Sequence, residues 1–397
     1  MPDLTTRVVA SLASVDAAQW NALEHGPSPF TEYGFLRALE RSSSVGAEAG
    51  WEPFYVLVEA RAPDSAGRAA DPGEIPPARL VGAVAAYVKP HSYGEYIFDW
   101  AWARAAERAG LAYYPKLVVA VPMTPATGPR LLVAKDVARG PVVARLVDGV
   151  RALAERRRCM SIHWLFTTAG EQAELREHGF MARASFQYHW HNTGFASFDE
   201  FLARLTSRRR KQLRKERARV HACVPAVEWV SGAALTSEDV EIIDRFYRRT
   251  TINHYGQDYL QPGFFAAVVA ELPERVRWAR VRRDGRTIAG ALYFETDAAL
   301  YGRYWGCEEE VEFLHFETAY YAAIERCIAR SIPLFEAGAQ GEHKLIRGFS
   351  PASTYSSHWF RHPGFAAAVE RFLGEEAEAV RHNMAELATL LPFRCEE

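Results

Sequence analysis

Apolar positions along the chain fall into short runs of the length and composition expected of strands. FYVLVEA, beginning at Phe54, and LVGAVAAYV, ending at Val88, are rich in Val and aromatics, and a stretch dense in Ala, Pro, Gly and Asp separates them between Ala60 and Pro77. That arrangement predicts a hairpin with a long loop. A second hairpin is predicted by VRWARVRRDGRTIAGALYFE, with an Asp-Gly turn between Arg283 and Arg286. The two hairpins open a faint internal repeat. LVGAVAAY around Gly82 echoes IAGALYFE around Gly290, SIHWLF from Ser161 echoes SIPLFE from Ser331, and FQYHW ending at Trp190 echoes YSSHW ending at Trp359. Three correspondences in the same order predict a duplicated mixed α/β unit.

The halves are not equal. Gly82 and Ser161 are 79 positions apart, whereas Gly290 and Ser331 are 41 apart. The extra length is assigned to an aromatic insertion at about 90–132, because added loops on a repeated scaffold are more often sites than scaffolding. The predicted domains are 1–190, carrying that insertion, and 191–397, carrying a basic helix at 206–222 and an amphipathic C-terminal helix from about Phe365 to Leu390.

Composition narrows the function classes. Of 397 residues 49% are hydrophobic and 24% charged, which fits two folded domains with real interiors. A net charge of -2 argues against a protein that coats nucleic acid, yet leaves room for a local basic patch. The cysteines Cys159, Cys223, Cys307, Cys327 and Cys395 are scattered and show no metal-ligand spacing, so a reduced compartment and no metal are expected. No signal peptide and no membrane span are read from the sequence, which gives a cytoplasmic protein, monomer or homodimer, as the expectation. The chain lacks a GxSxG elbow, a P-loop, a dinucleotide fingerprint and an HExxH motif.

The stretch GRYWGCEEEVEFLHFETAYYAAIERCIARSIPLFEAGAQGEHKLIRGFSPASTYSSHW, together with HSYGEYIFDWAWA, YYPKLVVAVPMTPATGPR and SRRRKQLRKER, resembles the FemAB-like proteins of peptidoglycan biosynthesis or recognition. That family is a branch of the acyl-CoA N-acyltransferase (GNAT) superfamily. The resemblance implies a tandem of two GNAT-like folds and an enzyme that forms an amide on an amine. Its better-understood members take the acyl group from aminoacyl-tRNA and give it to a peptidoglycan precursor. No resident cofactor is implied. The superfamily's Gln/Arg-x-x-Gly-x-Gly/Ala phosphate loop is not visible, since the chain after Trp305 reads GCEEEVEFLHFE. Acyl-CoA is therefore the alternative donor, and a non-catalytic module that recognises cell-wall fragments is the third reading.

Amide formation from an activated ester needs a neutral amine, a polarised carbonyl and close juxtaposition, which alone supplies roughly 7 to 11 kcal/mol in well-oriented cases. EAGAQGEHKLIRGF holds the densest candidates. Glu342 or His343, with Glu336 and Glu317 as further carboxylates, are candidate proton acceptors, and Gln340, Lys344 and Arg347 are candidate ligand contacts. The same run also reads as a capped, solvated helix start, and Glu317 as a residue that favours its helix dipole. In GRYWG, Arg303 and Trp305 share one strand face and Tyr304 takes the other, one face meeting ligand and the other the core. His91, Ser92, Tyr93, Glu95 and Asp99 suit a cationic amine, and Lys116, Thr127 and Arg130 an anionic group. Eight Arg or Lys residues lie between Arg208 and Arg219; of these Arg208, Arg209, Arg210, Lys211, Arg214 and Lys215 are the candidate tRNA or phosphate contacts, against the alternative of a solvated helix. The expected site is a groove enclosed by two lobes, with Glu336 to Arg347 on its wall.

Overall fold

A computed structural model describes residues 3–61, 78–255, 258–339 and 341–394. The chain runs β1 (Asp3–Val9), α1 (Ala17–Asn21), α2 (Tyr33–Arg41), β2 (Glu52–Arg61), β3 (Arg79–Lys89), α3 (Trp100–Arg108), β4 (Lys116–Val119), β5 (Leu132–Val133), α4 (Arg139–Arg156), β6 (Ser161–Thr167), α5 (Ala169–Glu177) and β7 (Met181–His191). It continues through α6 (Phe198–Arg204), α7 (Ser207–Cys223), β8 (Glu228–Ser231), α8 (Ser237–Tyr255), α9 (Phe264–Glu271), β9 (Val276–Arg283), β10 (Arg286–Glu295) and β11 (Ala299–Cys307). The last elements are α10 (Leu314–Phe316), α11 (Ala322–Ala329), β12 (Leu334–Glu336), β13 (Ser350–Phe360) and α12 (Pro363–Thr389).

Both hairpins form. Arg283 pairs with Arg286 across the turn, where Asp284 and Gly285 take positive φ values of 50° and 77°, the twist that a two-residue hairpin requires. The first hairpin pairs β2 with β3, and its connection lies outside the described residues beyond Arg61. The basic and C-terminal helices appear as α7 and α12. The helix expected around Glu317 forms, running without a break from α10 through a π-helical turn at Glu317–Tyr321 into α11.

The chain divides into two compact units, and the division differs from the 190/191 boundary expected above. One unit holds Met1–Gly26, Phe30–Arg183 and Tyr355–Glu375, and the other holds Pro27–Pro29, Ala184–Thr354 and Glu376–Glu397. In the first, β1, β2, β3, β4 and β6 lie side by side, and β6 is followed by the end of β13. β4 is parallel to β6, and β13 pairs antiparallel to it, Trp359 opposite Ile162. In the second, the order is β7, β12, β11, β10, β9, β8, with β12 parallel to β11 and β7 antiparallel to β12, Trp190 opposite Phe335. The closing strands of the two repeats are thus exchanged. FQYHW completes the unit that contains SIPLFE, and YSSHW completes the unit that contains SIHWLF. Both strands end in His-Trp with the same alternation, so either can offer the same buried face to either sheet.

The aromatic insertion is partly scaffold. Within its YYPKLVV stretch, Lys116–Val119 form β4, fully buried between β3 and β6 and occupying the place that β11 holds in the second unit. α4 covers this sheet with Val142, Val143, Leu146, Val147, Val150 and Leu153 at helical spacing, close enough that Val142 would meet any Cβ at Gly82 at 2.4 Å. The second unit is built around Trp190, Phe201, Tyr293, Tyr321, Phe335 and Phe349.

The strand exchange brings His163 of β6 opposite His358 of β13, with Nδ1 to Nδ1 at 2.7 Å, each ring capped at Nε2 by the serine two residues before it, Ser161 at 2.7 Å and Ser356 at 2.9 Å. Such a contact needs one ring to donate and the other to accept, so two neutral imidazoles satisfy it and two imidazoliums cannot. Burial pushes both well below the usual histidine value, helped by the positive Lys116 and Arg183 and, at His358, opposed by Asp99. The unfolded chain therefore binds more protons than the native one below about pH 6.5, and stability falls as pH drops through that value, by up to about 1.4 kcal/mol per pH unit for each ring. Urea midpoints measured from pH 7.5 to 5 will decline more steeply for the wild type than for a His163→Asn/His358→Asn variant; equal slopes would remove the pair from the acid response.

Candidate active site

In the second unit β12 ends at Glu336, and the chain then turns through Gly338 and Gly341, both at positive φ, into a 3-10 turn over Glu342–Arg347. Glycine is needed at Gly341 twice over, since a Cβ there would also lie 2.5 Å from His343 Cε1. Three side chains meet at the strand end. Glu336 is buried with Oε2 4.0 Å from His189 Nε2 on the neighbouring β7, and His189 Nε2 lies 3.5 Å from Gln187 Oε1. Burial pushes His189 down to about 3, with His191 and Lys344 adding positive charge nearby. Lys344 is 1% exposed, and its ammonium donates to Gly338 O at 2.8 Å, its one hydrogen-bond partner among the described residues. With no carboxylate to offset the loss of water, burial brings it down to about 7.

His343 stands at the exposed side of the same turn. Its Nε2 is 2.9 Å from Tyr320 Oη, within an aromatic cluster that includes His315, Phe316 and Phe349. Burial, then Arg347 and Lys344, hold His343 below its ordinary value. Glu342 is exposed. Gln340 lies outside the described residues.

Two of the candidates at this end of the chain are committed to structure. Arg347 is fully buried, donating to Glu216 Oε2 at 2.9 Å, Tyr321 Oη at 3.0 Å and His343 O at 2.8 Å, with its guanidinium 3.5 Å from the Phe316 ring centre. Its bonding is spent inside the protein, so it is not the expected phosphate contact. Glu317 is buried under a bidentate pairing with Arg217, whose other N–H groups reach Glu325 at 2.7 and 2.9 Å. Both of its oxygens are thus engaged by Arg217. In GRYWG all three side chains are partly exposed: Tyr304 packs on Tyr247 and Phe265, Trp305 on His315, and the Arg303 guanidinium lies 5.4 Å from the Tyr304 ring.

Along α7 the charges separate by face. Glu216, Arg217 and Leu213 turn inward, and Gln212 bridges Arg209 to Glu216 at 3.0 and 2.9 Å. Arg210 makes long contacts of 3.5 Å to Ala203 O and Ser207, and Arg214 pairs with Asp199 at an exposed position. Arg208, Lys211 and Lys215 are exposed and have no ion-pair partner among the described residues.

In the first unit the structure brings Ser92, Glu95, Asp99 and Lys116 together, but facing one another. Lys116 is wholly buried and donates to Ser92 at 2.7 Å, Glu95 at 2.8 Å and Asp99. Burial opposes its charge, yet the two carboxylates more than offset that and raise it. Lys89, which sequence reasoning missed, completes a charge-balanced group: it sits 3.4 Å from the Trp51 ring centre, donates to Tyr93 O at 3.0 Å and lies 3.8 Å from Glu95. Burial brings Lys89 down to about 7 and Glu95 up to about 7. Asp99 Oδ1 has no hydrogen-bond partner among the described residues. Above this group His91 lies against the bare backbone of Gly50, and Tyr93, half exposed, stacks edge-on with His91 and Trp100 at 5.3 and 5.2 Å. Arg130 is buried and turned into the protein. Its guanidinium donates to the carbonyls of Leu165, Gly128, Pro129 and Ala126, holding the Pro-rich loop, and Thr127 Oγ1 is buried without a hydrogen-bond partner among the described residues.

A sequence model of the FemAB-like family, described as peptidoglycan biosynthesis/recognition, matches residues 11–395. The chain belongs to the FemAB-like family. This FemAB-like chain is mixed α/β, and its fold is similar to the crystal structure of FemX, at 10% identity and a TM-score of 0.51 over 92% of this chain and 100% of that one. Further similar structures are a tandem GNAT protein from the clavulanic acid biosynthesis pathway (13% identity, TM-score 0.43, 91% and 99% covered) and L-PGS from Bacillus licheniformis (9% identity, TM-score 0.45, 88% and 97% covered). No curated protein matches the sequence. No helix among the described residues is long and apolar enough to cross a membrane.

The sequence does not single out His189, because its strand is expected to close the other half; the available signal is the His-Trp pair repeated at Trp190 and Trp359. An unpaired buried lysine costs stability, and such a cost is commonly retained where activity needs the group. Lys344→Met keeps the volume and removes the charge. At pH 7 this variant will unfold at an equal or higher urea concentration than wild type, and the difference will shrink towards pH 10, where the native and unfolded lysines are both becoming neutral. A marked loss of stability at pH 7 would show that Lys344 is a structural group.

Proposed function

We propose that this chain is an N-acyltransferase that forms an amide on an amine-bearing acceptor, with Lys344 as the group that takes up the acceptor's proton. The observation that carries the proposal is the burial of Lys344 in the turn after β12 with one backbone carbonyl as its hydrogen-bond partner among the described residues, a setting that brings it down to about 7. A proton acceptor works best when its pKa lies near the working pH, and positioned acid–base groups typically contribute about 10²–10⁴-fold. In the reaction, the acceptor nitrogen forms a bond to the ester carbonyl carbon. Neutral Lys344 receives the proton that the nitrogen loses, the ester C–O bond breaks, and the proton passes to the departing oxygen. His343, hydrogen-bonded to Tyr320, stands on the solvent side of the same turn as a second exchange point.

The family's peptidoglycan assignment supports a precursor peptide or similar amine as acceptor. For the donor, the unpaired exposed face of Arg208, Lys211 and Lys215 supports a phosphate-bearing carrier, and an aminoacyl-tRNA combines that backbone with the activated ester the chemistry needs. Each such cation that meets a phosphate makes binding more salt-dependent.

Incubation with aminoacyl-tRNA and peptidoglycan-precursor peptides should transfer label to the amine, with the transfer abolished by RNase. Lys344→Met should lower kcat by about 10²-fold or more while the protein remains folded. The wild-type rate should rise with pH through about 7, as Lys344 becomes neutral. Full activity of the Lys344→Met variant would overturn the role given to Lys344; no transfer from any charged tRNA would overturn the donor.

A further inference from the structure

At the opposite edge of the second unit's sheet from His189 and Glu336, the four-residue strand β8 ends the strand order, and a cavity of about 550 Å³ opens beside it. Arg277, Arg280, Arg326, Arg330 and Trp229 line it. Two of these guanidiniums are held in place from behind by one buried carboxylate. Glu295 accepts from Arg277 Nε at 3.0 Å and from Arg326 Nη2 at 2.9 Å, and it lies below the usual carboxylate range because, although burial opposes ionisation, Arg326 and Arg277 more than offset it. Arg326 also stacks 4.6 Å from the Trp229 ring centre, and Arg277 Nη1 donates to Val276 O at 2.8 Å. Arg277 Nη2 and Arg326 Nη1 keep donors with no hydrogen-bond partner among the described residues. Arg280 is held by Glu228 and Asp239. Arg330, at the C-terminal cap of α11, is exposed, and no described side chain pairs with it.

We propose that this notch is a second binding site, for a phosphate group. Rigidly held planar guanidiniums with unspent N–H groups suit the tetrahedral oxygens of a phosphate, since little side-chain freedom remains to be lost on binding. Four arginines stand against three carboxylates, Glu228, Asp239 and Glu295, so the lining keeps a positive excess for an anion to neutralise. The volume accommodates a diphosphate with part of the molecule attached to it. The site is separate in sequence and strand order from Lys344, and it stands or falls independently of the acyl-transfer reading.

Isothermal titration of the full chain with inorganic pyrophosphate at low ionic strength tests it. Saturable binding is expected, weakened at least about tenfold by Arg330→Glu, a change at an exposed side chain that leaves thermal unfolding unaltered, and also weakened by Arg326→Lys, which keeps the charge and loses the planar fork. Displacement of bound pyrophosphate by uncharged tRNA would identify the natural phosphate as that of a polynucleotide, and its persistence that of a soluble phosphate ester. The proposal is overturned if wild type shows no saturable binding, or if binding survives Arg330→Glu and is lost instead in a Lys211→Glu/Lys215→Glu variant of α7.

Discussion

Arg347 donates to Glu216 and Tyr321 inside the second unit while its guanidinium lies flat over Phe316. Both partners of the pair are almost fully buried, so each has given up its water and depends on the other; loss of one partner of such a pair typically costs about 3–5 kcal/mol. This bond fixes the turn 342–347 to α7 and to the π-helical segment at once. Lys344, three residues before Arg347 on the same turn, is thereby kept buried with a single carbonyl for company. Without that anchor the lysine has every reason to swing into water, where its charge is better solvated.

Buried cations elsewhere in the chain are treated differently. Lys116 is matched by two carboxylates, Arg217 by Glu317 and Glu325, and Arg130 by a ring of backbone carbonyls. Those groups are satisfied and hold loops or helices in place. Lys344 keeps a desolvated charge with little return, which is the pattern that sets functional groups apart from structural ones. Lys89 is intermediate, sharing Glu95 at 3.8 Å and resting on Trp51.

Local signals carried much of the fold. The Asp-Gly hairpin, the basic helix and the C-terminal helix follow from turn chemistry and periodicity, and the repeat of Gly82 and Gly290 marks equivalent strands. The strand exchange was hidden because FQYHW and YSSHW carry almost the same pattern, and a pattern names a buried face without naming its neighbour. The aromatic residues around KLVV likewise disguised β4 as loop. At the site, Glu336, His343 and Lys344 were legible as a cluster because they are close in sequence. Glu317 and Arg347 were misread because their partners lie 100 and 131 residues away, a distance over which composition says nothing about pairing. His189 was missed for the same reason, being brought to Glu336 only by the register of β7 with β12.

Acyl transfer by this route turns on the charge state of one ammonium group. Chain labelled with 13C at lysine Cε, titrated by NMR and compared with Lys344→Met for assignment, reads that state directly. The resonance absent from the variant should titrate with a midpoint near 7, as burial dictates. A midpoint near the free lysine value of about 10.4 would contradict it, because a lysine charged throughout the neutral range cannot receive the acceptor's proton.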